Sequence, residues 1–145
     1  MAKLLDNIVR MVNGDLPHPP IAKLLGFQIA SVEPGMVVVE FEANGNHANP
    51  LGTLHGGVLC DIADAAMGLA YASGLEDGES FTTLELKINF LKPIWNARLK
   101  ATANMIRRGR TIGLVECKVL DGKGSLVAHS TSTCMTLRGA EAVGR

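Results

Sequence analysis

Neither sign of charge prevails in this sequence. Its 14 Lys and Arg offset 14 Asp and Glu, and no basic block stands out. A chain without a cationic face is a poor match for nucleic acid, so that partner is set aside. No apolar run reaches bilayer-spanning length without a glycine or a charge in it, so no membrane partner is expected. The N-terminus lacks a long apolar core followed by a small-residue cleavage site. No signal peptide is therefore expected, and the expected location is the cytoplasm. Cysteine is scarce. Cys60, Cys117 and Cys134 lie far apart inside apolar segments, an odd count without metal-ligand spacing. That pattern fits reduced, buried thiols and gives no reason to expect a disulfide or a metal. Internal repeats and low-complexity segments are also missing.

What is present is one long apolar stretch. The chain has 145 residues, enough for a single domain with a real core. The run from Asn49 to Ala72 is the one long and apolar enough for a buried central helix, and glycines, a histidine and acids cluster there. Wound at about 100° per residue, Gly57–Ala70 puts Val58, Ile62, Ala65, Ala66 and Leu69 on one broad face. Gly57, Asp61, Asp64 and Gly68 line the opposite stripe, where the glycines admit a close approach. Cys60, Ala63, Met67 and Ala70 are apolar too, so most of the helix is expected to be covered. At its start, His55-Gly56-Gly57 offers backbone N–H groups without intrahelical partners, and the helix dipole adds partial positive charge. Such an end can hold a phosphate, a carboxylate or a carbonyl oxygen that gains charge during reaction. The same glycines also suit a plain tight turn.

Around this helix the chain reads as follows. Met1–Asn13 is a short amphipathic helix, and the proline-containing segment Asp15–Pro20 is a linker. Ile21–Leu25 is a brief helix stopped by Gly26. Phe27–Val32 and Met36–Ala43 are strands joined by a Glu33-Pro34-Gly35 turn. Asn44–Thr53 is a loop containing His47. After the long helix come candidate strands at Leu84–Phe90, Ala97–Met105, Thr111–Leu120 and Ser125–Leu137, the last containing His129. In the first of these Leu84, Leu86, Ile88 and Phe90 alternate with polar residues, which implies an antiparallel strand with that side on the core. One domain over 1–145 is expected, with 1–20 as N-terminal helix and linker and 139–145 as a frayed tail. One helix cannot cover both faces of such a sheet, so the sheet should curl around it.

A distance then suggests a dimer. If the Gly57 N–H polarises a substrate carbonyl and Asp64 acts on the same carbon, seven helical residues hold them about 10 Å apart. Both must lie within about 3–4 Å of the reacting centre, which one chain cannot arrange. Two antiparallel copies around a two-fold axis can, with Gly57 of one facing Asp64 of the other. Asp61 is the competing acid. Near the axis it would approach its own copy, where like charges raise a pKa.

The motif N-x-x-G-x-L-H-G-G, with an acid 9 residues after the His, is met by Asn49, Gly52, His55, Gly56, Gly57 and Asp64. In it the chain resembles the hotdog-fold acyl-CoA thioesterases. The branch is that of the phenylacetate-pathway thioesterases, the Glu-dependent 4-hydroxybenzoyl-CoA thioesterases and the mammalian Them-type enzymes. The likeness runs from about Ile21 to Leu137, and Thr83–Pro93 resembles the family's strand that ends before a Pro. The resemblance implies an α+β hotdog fold, a curved antiparallel sheet wrapped around one long helix, with sheets joined edge to edge in dimers and often in homotetramers. It implies that the Gly57 N–H polarises a thioester carbonyl and that Asp64 of the other subunit is general base or nucleophile. Asn49 would orient water, and His55 would support the carbonyl or the loop. A hydroxyl residue on the next strand would be Thr83, which needs a bulge or a strong twist to reach Asp64, with Thr82 as the fallback. The coenzyme A phosphates would meet Arg107, Arg108, Arg110 and Lys92. No separate cofactor and no metal is implied. The chemistry is sound from below, since a thioester is an activated acyl group that a carboxylate can attack directly or through water. Two other readings stand beside it: a hotdog hydratase or dehydratase, and a non-catalytic acyl-CoA sensor.

Overall fold

The computed structural model describes residues 2–145. Met1, which the sequence places in the first helix, lies outside the described residues. Helix α1 (Lys3–Val12) buries Ile8, and its first backbone N–H donates to Asp77 Oδ1 at 2.8 Å. Helix α2 (Pro20–Leu25) stops at Gly26, whose φ of 87° a side chain would resist. Strands β1 (Phe27–Glu33) and β2 (Met36–Ala43) follow, then helix α3 (Gly56–Ala72). Strands β3 (Ser80–Phe90), β4 (Ala97–Arg108), β5 (Ile112–Leu120) and β6 (Leu126–Leu137) complete a six-stranded sheet. Its order is β1-β2-β4-β5-β6-β3, and every neighbouring pair is antiparallel.

The sheet wraps α3, which touches all six strands. The seam is built from small and branched side chains. Ala63, Ala66 and Ala70 on α3 meet Val37, Val39, Ala101, Ala103 and Val115, all fully buried. Small residues on both sides let helix and sheet approach closely. Ile62 and Met67 fill the remaining depth, each burial worth about 1.5–3 kcal/mol.

Three expectations are corrected. First, α3 is rotated from the face read in the sequence. Leu59, Ile62, Ala63, Ala66, Met67 and Ala70 are buried, while Val58, Ala65 and Leu69 are half-buried flanks. A helix apolar on most sides does not choose its own rotation. The two acids choose it, because the side opposite Asp61 and Asp64 is the one that can be buried without desolvating a carboxylate. Second, Leu84 does not face the core. It is 53% exposed, because β3 is an edge strand and carries a bulge between Thr83 and Glu85, while Leu86, Ile88 and Phe90 keep to the helix side. Third, the frayed tail begins with a 3-10 turn at Gly139–Ala142.

Candidate active site

The bulge decides which β3 side chains face the helix. Before it, Phe81 and Thr83 pair with Thr136 and Cys134 of β6. After it, Leu86 and Ile88 pair with Ser132 and Ser130. All four partners lie on the buried side of β6. Unbroken alternation would have put Thr83 and Leu86 on opposite faces. One extra residue, Leu84, puts both on the helix side. Thr82 pairs with Met135 and falls on the other side.

Thr83 thereby shares a cleft of about 300 Å³ with Asp61, Asp64 and Gly68 of α3. Its other walls are apolar: Leu69, Phe81, Phe27 and, from α2, Ile21. The Asp64 carboxyl is held above its ordinary range, chiefly by the loss of water around it and further by the charge of Asp61 one turn earlier. Its side chain still reaches solvent. A carboxylate with a raised pKa at the mouth of an apolar cleft is equipped to accept a proton or to attack an electrophile.

The start of α3 holds the second group of candidate residues. His55 is the N-cap, and its Nδ1 accepts the Gly57 N–H at 2.9 Å. This corrects the expectation of a free N–H, since the chain's own imidazole occupies it. The geometry requires an unprotonated Nδ1. Gly56 is pressed by the Phe90 ring, which a Cβ there would meet at 3.0 Å. Asn49 is engaged within its own loop. Its Oδ1 accepts the N–H groups of Leu51 and Thr53, and its Nδ2 donates to Thr53 Oγ1 at 2.7 Å. Asn49 and Gly56 share a separate cleft of about 370 Å³ with Phe90, Lys92 and Pro93. Within one chain, then, Asp64 and Thr83 come together, and Asn49, His55 and Gly57 gather at the other end of a separation of about 10 Å.

The four expected phosphate cations do not converge. Lys92 lies just past the end of β3 and is ion-paired with Asp121. Arg107 and Arg108 belong to β4, and β5 and β6 stand between those two strands. Arg107 pairs across from Leu114 on the outer side of the sheet. Arg108 lies over the Tyr71 ring, 5.3 Å from its centroid, and bonds Glu79 at 3.2 Å. Its Nη1 is buried against Gly74 without a hydrogen-bond partner among the described residues. Arg110 joins Arg108 in lining a polar hollow with Glu76, Glu79 and Arg138. Sequence reasoning missed Arg138, which binds Glu79 at 2.8 Å from the end of β6. No local pattern marks it, because the pairing of β3 with β6 brings it there.

His47 and His129 are engaged within the fold. His47 caps its 3-10 turn and bonds Leu25 O at 2.9 Å, and His129 in β6 meets Glu116 at 2.7 Å. The three cysteines are free, with burial pushing Cys117 up to about 12.

A six-stranded antiparallel sheet curled around a single long helix, with an acid on the exposed stripe of that helix, defines a hotdog-fold enzyme. Residues 51–128 match the family described as the thioesterase superfamily, and the chain belongs to that superfamily. It is similar to a 1,4-dihydroxy-2-naphthoyl-CoA hydrolase of Listeria monocytogenes, 32% identical, with 78% of this chain and 92% of the relative covered. Among solved structures it is similar to a phenylacetic acid degradation-related protein of Ralstonia eutropha, at TM-score 0.80 and 35% identity, covering 88% of this chain and 98% of that one. It also resembles the PaaI protein of the Escherichia coli phenylacetic acid degradation operon, at TM-score 0.82 and 25% identity, covering 94% and 98%. The chain is thus an enzyme of the thioester-hydrolase class. No helix among the described residues is long and apolar enough to cross a membrane.

Proposed function

We propose that this thioesterase hydrolyses an acyl-CoA or aryl-CoA to the free acid and coenzyme A, in a site completed by two copies of the chain. The observation that carries the reading is Asp64, a carboxyl of raised pKa beside Thr83 at the mouth of an apolar cleft. The distance from Asp64 to Gly57 on the same helix supports the shared site, since two antiparallel copies would bring one chain's Asp64 to the other's Gly57. As general base, Asp64 takes a proton from water while the water oxygen bonds to the thioester carbon. The C–S bond then breaks, and the proton goes to the departing thiolate. As nucleophile, Asp64 bonds to the thioester carbon, the C–S bond breaks and the thiolate leaves, and water then cleaves the acyl anhydride to the free acid and the Asp64 carboxylate, its released proton going to the thiolate. In either case the Gly57 N–H donates to the carbonyl oxygen as charge develops, an interaction worth about 3–4 kcal/mol. That oxygen must share the N–H with His55 or displace it. Asn49 holds the loop that presents this helix end, and its remaining N–H is available to water.

The names of the Listeria and Ralstonia relatives favour an aromatic acyl group. Arg108, Arg110 and Arg138, which line one hollow, are the cations we assign to the coenzyme A phosphates, whereas Lys92 and Arg107 lie apart from it. No cofactor beyond the substrate's coenzyme A is required, and we place the enzyme in the cytoplasm as a homodimer or homotetramer. The test follows thiol release over a panel of acyl-CoAs for the wild type and Asp64→Asn. Wild-type turnover with a loss of about a hundredfold in the variant, roughly 2.7 kcal/mol of barrier, is expected. A variant that retains wild-type rates would remove Asp64 from the chemistry and turn attention to Asp61.

A further inference from the structure

The cleft beside Asp64 ends on a wall that the mechanism does not use. Gly68 lies one helical turn beyond Asp64, about 6 Å along the axis. There the Phe81 ring closes over the helix. A Cβ on Gly68 would stand 3.4 Å from Phe81 Cζ, an ordinary contact, so glycine leaves a groove about one methyl group deep between helix and ring.

Phe81 has a backing. Its ring packs against Tyr71 at a centroid distance of 5.4 Å, and Tyr71 is itself held by several contacts. The Tyr71 hydroxyl bonds Thr136 Oγ1 at 2.6 Å, and the Arg108 guanidinium lies over its ring. Gly113 is so close that a Cβ there would fall 2.6 Å from Tyr71 Cε2. Tyr71 itself is fully buried. A substrate tail running from Asp64 along Gly68 therefore meets an aromatic ring with a fixed plate behind it. The volume agrees, since about 300 Å³ is at the lower bound for small-molecule sites.

We propose that Phe81, seated on Gly68 and backed by Tyr71, is the specificity-determining floor of the acyl pocket. It restricts the substrate to compact acyl groups, aryl or medium alkyl, and excludes long chains. The proposal rests on the acyl-CoA reading of the site above. In a hydrophobic pocket one methylene too many changes kcat/KM by about 10–200-fold, so the floor's position is measurable.

The experiment compares kcat/KM of the wild type, Phe81→Ala and Gly68→Val on butanoyl-, octanoyl-, dodecanoyl-, hexadecanoyl- and phenylacetyl-CoA. Ratios between substrates within one preparation cancel any loss of folded enzyme. The wild type should prefer octanoyl or phenylacetyl to hexadecanoyl by about tenfold or more. Phe81→Ala should raise the dodecanoyl-to-octanoyl ratio by about tenfold, and Gly68→Val should lower the octanoyl-to-butanoyl ratio similarly. A wild type that takes hexadecanoyl as readily as octanoyl overturns the floor while leaving the acyl-CoA reading intact. So do variants whose ratios match the wild type. A wild type inactive on the whole panel overturns that reading and the floor with it. Should Phe81→Ala fail to fold, Gly68→Val alone decides, because it adds bulk at a position half open to solvent.

Discussion

Tyr71 offers the most direct test of how rigidly the cleft is backed. Replacing it with Phe keeps the ring, its contact with Phe81 and the Arg108 guanidinium above it, and removes one oxygen. That oxygen shares a 2.6 Å hydrogen bond with Thr136 Oγ1, and both residues are buried. Tyr71→Phe leaves the Thr136 hydroxyl without its partner in a dry place, which should cost about 1–3 kcal/mol. Thr136→Val strands the tyrosine hydroxyl and should cost a similar amount. With both oxygens gone nothing is left unsatisfied, so the double variant should be more stable than the sum of the two losses by about 1 kcal/mol. Urea midpoints at constant slope and constant protein concentration read the cycle. Purely additive losses, or no loss in Tyr71→Phe, would show that this bond does not hold the plate and would weaken the case for Phe81 as a fixed floor.

Three further outcomes are expected. The raised pKa of Asp64 means that the folded chain binds this proton more tightly than the unfolded chain. Stability is therefore lost as pH rises from the ordinary value of 3.8 through the raised one. Asp64→Asn removes that cost, so urea melts at neutral pH should show the inactive variant as more stable than the wild type, with the gain shrinking by pH 3. Co-expressing Asp64→Asn with Asn49→Ala tests the shared site. If Asp64 and Asn49 act from different subunits, mixed dimers regain one intact site, or about a quarter of wild-type activity under random pairing, and no regain would place both in one subunit. His55→Ala removes the side-chain acceptor of the Gly57 N–H and should lower thermal stability by about 1 kcal/mol, and an unchanged melt would mean the cap contributes nothing.

The amino-acid sequence by itself determined most of the elements and the thioesterase class. Apolar alternation in Met36–Ala43 and Ala97–Met105 marks strands, because only one side of each meets the core. The long apolar run marks α3, because no other segment could fill a curled sheet. The spacing from Gly57 to Asp64 is what makes the proposed chemistry ask for two subunits, because a helix has a fixed rise. Tertiary structure decided what local pattern leaves open. The rotation of α3 depends on where its two acids reach water, which a helix apolar on most sides does not reveal. The bulge at Leu84 depends on how an edge strand pairs with β6, and it alone puts Thr83 beside Asp64. Strand order separates Lys92 from Arg108 and brings Arg138 to Glu79, contacts between residues remote in the chain. Such contacts leave no periodicity to read, because they arise only when strands made elsewhere in the sequence are laid side by side.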